Sequence, residues 1–120
     1  MNEQKLISTL TTSYKKQLTL YKELLELVEK TLSKLVLSRG NVVGIIESFN
    51  KKQSIINSIE KERNEVNEII DIWKENKENI RKKIDTKELD MLLNETESAI
   101  KKFLEYEQQI KKYLEHMLKK

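Results

Sequence analysis

From Ile45 to Ile84 a single stripe recurs at steps of four and three without a slip: Ile45, Phe49, Lys52, Ile56, Ile59, Arg63, Val66, Ile70, Trp73, Lys77, Ile80 and Ile84. A sustained repeat averaging about 3.5 residues, with neither Gly nor Pro inside it, commits the segment to one long helix that offers a seam to neighbouring helices. Nearly everything on the stripe is apolar. The exceptions are Lys52, Arg63 and Lys77, all basic.

The flanking segments carry the same pattern. Leu10, Tyr14, Tyr21, Val28, Leu32 and Leu35 centre an apolar face, with Ile7, Leu18, Leu24 and Leu25 beside it, and predict a first helix over residues 3–38 starting near Asn2 or Glu3. Its early Ser and Thr residues are poor helix formers, so packing must hold that third of it. Arg39, Gly40 and Asn41 form the turn, because Gly takes the left-handed conformation past a helix end and Asn41 can cap the next helix. The second helix is expected over 42–84. Asp85 followed by Glu88 has the spacing of a capping box, and Leu89, Leu93, Thr96, Ile100, Phe103, Glu107, Ile110, Leu114 and Met117 predict a third helix over 87–118. Two short turns joining three long helices give an all-α, antiparallel three-helix bundle forming one domain over 1–120. With two Gly, no Pro and 36% charged residues, nothing in the composition favours strands.

The turns set a register. Antiparallel helices rise equally, so facing residues of the first two helices should have numbers adding to roughly 80, and those of the last two to roughly 170. Tyr21 then meets Ile59 and Ile110, and Gln17, Arg63 and Glu107 fall in one polar layer, the arrangement that would let a core arginine serve as a register device. Lys77 falls level with Glu3. The third helix would end level with Val28 and Lys52, leaving the tip of the first hairpin as a two-helix stub. On that stub Leu32, Leu35, Val42, Ile45, Ile46 and Phe49 keep the stripe with no third helix to cover them, and the neighbouring Tyr113, Leu114 and Met117 extend the surface. A contiguous uncovered apolar patch marks an interaction site, here a groove for an amphipathic helix of a partner.

Several classes of function are disfavoured. The 23 basic and 20 acidic residues are interleaved, with residues 1–38 carrying +6 and −4, 39–84 carrying +10 and −8, and 85–120 carrying +7 and −8. Nucleic-acid binding would need them clustered. Without Cys there is no disulfide framework or thiolate metal site. The single histidine, His116, lacks the partner acid of a helical metal motif, since residue 113 is Tyr. No phosphate loop, Ser/His/Asp set or paired acids can be assembled, so neither catalysis nor a cofactor is expected. Met1 to Thr12 is too polar for a signal peptide, and no apolar run would span a membrane, which points to a cytoplasmic protein without membrane insertion.

The run LTLYKELLELVEKTLSKL, the turn RGN and the run VVGIIESFNKKQSIINSIEKER, with Glu29 shortly before the turn, Gly40 and Asn41 in it, and Lys52 ahead of Ile55 and Ile56, carry a family likeness. From Leu18 to Val66 the chain resembles the FlgN family of flagellar export chaperones. The resemblance implies a small cytoplasmic chaperone that binds the C-terminal helices of hook–filament junction proteins and delivers them to a component of the flagellar type III export gate. The competing expectation is a structural scaffold that self-associates through its spare apolar faces as a homo-oligomer.

Overall fold

The computed structural model describes residues 2–37 and 43–119, leaving the expected turn at Arg39, Gly40 and Asn41, together with Val42, outside the described residues. The elements are α1 (Glu3–Leu37), α2 (Val43–Glu65), α3 (Asn67–Lys83) and α4 (Lys87–Leu118). Among the described residues every element is a helix, as the 3.5-residue stripes require. The rod they form measures 59 × 20 × 19 Å.

The expected number of helices, three, is corrected to four. The long second helix is interrupted at Val66, which has φ −114° and ψ 9° and whose N–H reaches back three residues to the Arg63 carbonyl at 3.2 Å. Asn64, Val66 and Asn67 cluster there; all three have low helix propensity, and an Asn side chain competes for backbone partners. The weak-propensity run from Glu75 to Asn79 stays helical, held between the buried Trp73 and Ile80.

α1 is the central element. It packs along α2 and α4 and, near its start, α3, whereas no Cα atom of α2 lies within 8 Å of one in α4. Asn2 caps it, its Oδ1 accepting from the Gln4 N–H at 2.7 Å. Leu6, Leu10, Ile70, Trp73, Ile80 and Leu89 fill the core at one end; Leu18, Tyr21, Leu24, Ile59 and Ala99 fill the middle; Val28, Leu35, Ile45 and Ile110 fill the other end. Tyr21 with Ile59 and Leu35 with Ile45 thus keep the expected register between α1 and α2.

The α4 register departs from expectation. Close to its connection with α3 the expected pairing holds, with Ile80 and Leu89 in one cluster and Arg81 bonded to Asp90 at 2.8 Å. Beyond Val66 it does not: Ile110 sits with Val28, Leu35 and Ile45 rather than with Tyr21 and Ile59, and Glu107 pairs with Lys52. The slip is roughly ten residues, about 15 Å of helix rise. The expectation assumed one straight rod from residue 42 to 84, and the interruption at Val66 removes that condition. Two corrections follow. Among the described residues the expected two-helix stub is not present, because α4 accompanies the hairpin as far as Leu35 and Ile45. The polar layer Gln17, Arg63, Glu107 is formed only in part: Gln17, which donates to Ser13 Oγ at 3.1 Å, and Arg63 come together, while Glu107 pairs with Lys52 instead. Glu3 pairs with Lys83 at 3.8 Å, not with Lys77.

The Asp85–Glu88 capping box is also replaced. Thr86 is the N-cap residue and makes no side-chain cap bond; its hydroxyl donates to Asp90 Oδ2 at 2.9 Å. Asp85 Oδ1 accepts from the Lys87 N–H at 3.0 Å, and Glu88 is drawn away to Lys15 at 2.7 Å.

Candidate functional site

Because α1 holds α2 and α4 apart, their seam is open, and two clefts lie along it. The first, about 440 Å³, is at the Leu118 end. Ile110 and Leu114 of α4 and Phe49 of α2 line it, with Leu118 at its edge. Lys52 and Glu107 cross it with an Nζ to Oε1 distance of 2.8 Å, their side chains 23% and 27% exposed. The Lys52 ammonium also lies 5.0 Å from the centre of the Phe49 ring, within cation–π range. A half-buried ion pair is thus tied to an aromatic ring on an otherwise apolar surface.

The residues expected at the partner surface divide into three sets. Leu35 and Ile45 are 0% and 6% exposed, so they belong to the core beneath the cleft and cannot touch a partner; this corrects the expectation for both. Leu32, Tyr113 and Leu114 are half-buried and pack against that core, and Met117 is half-buried. Ile46, at 66%, and Phe49, at 36%, are exposed. The structure brings Phe49 and Leu114 together across the cleft, and Val42 lies outside the described residues. Sequence reasoning missed the Lys52–Glu107 bridge. Its signal was present all the same, because each is a charged residue on an otherwise apolar stripe.

The second cleft, about 220 Å³, lies further along the seam and is lined by Tyr14, Gln17, Tyr21, Arg63, Thr96 and Glu97, with Leu93 and Ile100 at its walls. Arg63, expected opposite Glu107, shares this cleft with Glu97 instead, the same ten-residue slip. The Arg63 guanidinium sits beside the Tyr14 and Tyr21 phenols. Burial pushes the Tyr14 and Tyr21 phenols above their ordinary value of 10.0, and the Arg63 guanidinium pulls partly the other way.

Among the described residues no group of three or more His, Cys, Asp or Glu could hold a metal ion. No described helix is long and apolar enough to cross a membrane. No protein-family model, curated protein or solved structure matches the chain.

Proposed function

We infer that the chain is a non-catalytic export chaperone that shelters an amphipathic helix of its client in the α2/α4 seam. One observation carries this: five of the eight large apolar side chains left exposed among the described residues, Val36, Leu37, Ile46, Phe49 and Leu118, belong to helix ends at one end of the rod, and two of them, Phe49 and Leu118, line the apolar cleft that opens there. Clustered exposure of this kind costs solubility unless a partner covers it. The cleft runs between two helices and has Lys111 and Glu115 beside its apolar floor, so it suits a helix with an apolar i, i+3, i+4 face flanked by charges.

The resemblance to the FlgN family supplies the proposed client and setting: C-terminal helices of hook–filament junction proteins, bound in the cytoplasm and handed to the flagellar export gate. The rival reading is a scaffold in which a second copy covers the same end. Capture of the C-terminal segment of a junction protein from the same organism separates them. Phe49→Glu and Leu118→Glu change exposed positions and should leave the helical content intact, whereas Leu35→Glu would place a carboxylate in the core. Loss of capture in the two surface variants supports the proposal. Undiminished capture, or a wild-type dimer that the variants abolish while no peptide binds, overturns it.

A further inference from the structure

The second cleft contains a feature that packing does not explain. Thr96 is 5% exposed, and among the described residues its Oγ1 is the one buried side-chain polar atom without a hydrogen-bond partner. Such a group costs stability, and Val would fill nearly the same space without the cost. Around it the cleft collects donors. Tyr21 lines it beside the Arg63 guanidinium, and its phenol O–H can donate. Tyr14 adds a second phenol, and the Arg63 guanidinium keeps further N–H groups and a positive charge. The walls formed by Leu93 and Ile100 are aliphatic. A volume of about 220 Å³ is several times the ~30 Å³ share of one water molecule. The one acid present, Glu97, is an exposed residue on the rim.

Hydroxyl donors, a guanidinium and a short apolar wall match a carboxylate on a short aliphatic stem, since charge-assisted bonds to Arg and O–H donors are the strong ones. We propose that this cleft is a carboxylate-binding subsite, filled by an Asp or Glu side chain of the helix that docks in the neighbouring apolar cleft. The position fits: Lys52 and Arg63 are eleven residues apart on α2, about 16 Å along the axis, so one helix lying in the seam spans both clefts. The second part rests on the function proposed above, while the chemistry of the subsite stands by itself. An acid at one position of the client helix would then fix its register relative to the apolar floor of the first cleft, which alone is permissive of sliding.

The test uses the full chain and two probes. Butyrate and its neutral isostere butyramide are titrated while the amide resonances of Thr96 and Ile100 and the Arg63 Nε resonance are followed by NMR. Butyrate should give saturable shifts confined to the cleft, and butyramide should bind at least tenfold more weakly. Arg63→Gln should abolish the butyrate response and Glu97→Gln should strengthen it by removing the competing rim acid. Thr96→Val should weaken it at least threefold while raising the Tm of the free protein, a combination that a purely structural threonine would not produce. Equal responses to the two probes, no saturable response, or a response that survives Arg63→Gln overturns the subsite. In the second arm each Asp and Glu of the junction-protein peptide is changed to its amide. One change should cost about tenfold in affinity for the wild type and nothing further for Arg63→Gln. If butyrate binds but no single acid matters, the helix-borne source is refuted. If Phe49→Glu leaves capture intact, the proposed function fails, whatever butyrate does.

Discussion

Leu35→Ala tests whether α4 covers the end of the first hairpin. Leu35 is 0% exposed and packs with Val28, Ile45 and Ile110. Truncating a buried Leu costs about 2.7 to 5 kcal/mol, the spread reflecting how far the site collapses into the cavity. Leu35 lies two residues from the end of α1, where neighbours relax more readily, so the low end applies, about 3 kcal/mol. With an unfolding entropy of roughly 2.1 cal/mol/K per residue, 120 residues give about 250 cal/mol/K, and the Tm should fall by about 12 °C. Urea unfolding followed by far-UV circular dichroism measures the loss, with m unchanged. The only tryptophan, Trp73, is 5% exposed in the core of the opposite end. Its fluorescence should report the same midpoint if the rod unfolds as one unit. Ile110→Ala should cost a comparable amount, and the pair should be less than additive, because the two residues share a cluster. A loss below about 1 kcal/mol for Leu35→Ala would mean that the hairpin end is uncovered, and the α4 register would be refuted with it.

Three further outcomes follow from particular contacts. A double-mutant cycle on Lys52 and Glu107 should give a coupling of about 1 kcal/mol, above the exposed-pair range because both groups are mostly buried, yet far short of a fully buried pair because Lys52 can extend to solvent when Glu107 is removed; zero coupling in urea titrations would refute the bridge. Asp90→Ala should cost about 1 to 2 kcal/mol by the same assay, since it strips the buried Thr86 hydroxyl of its acceptor and Arg81 of its partner; a neutral result would mean the turn is held otherwise. Tyr14 and Tyr21 have folded pKa values raised above 10.0, so above about pH 10 the unfolded chain releases these protons first; stability that is complete below that pH is lost as pH rises through the folded values, and Tyr14→Phe with Tyr21→Phe should flatten the decline.

The helical class and the core stripes were legible because apolar spacing at steps of four and three survives whatever the helices pack against. The interruption at Val66 was not, since the stripe from Arg63 to Ile70 passes through it in phase; only the cluster of Asn64, Val66 and Asn67 hints at it. The register expectation assumed an unbroken second helix, and with the break at Val66 Glu107 lies at Lys52 rather than Arg63 and α4 reaches the hairpin end. Leu35 and Ile45 consequently left the partner surface for the core, whereas Phe49, Ile46 and Leu114, on flanks that no register shift closes over, kept their expected accessibility in whole or part. The Asp85–Glu88 box failed for a different reason: Lys15, some seventy positions away in sequence, offers Glu88 a partner that no local pattern records.

The claim that the α2/α4 seam binds a client helix is tested most directly by an NMR titration of the full chain with the C-terminal segment of a hook–filament junction protein from the same organism. Client binding in the seam should give saturable shifts centred on Phe49, Lys52, Ile110, Leu114 and Leu118 and extending toward Arg63 and Thr96, with the resonances around Trp73 and Ile80 unmoved. Shifts centred on the Trp73 end, or a spectrum that the peptide leaves unchanged, would contradict it.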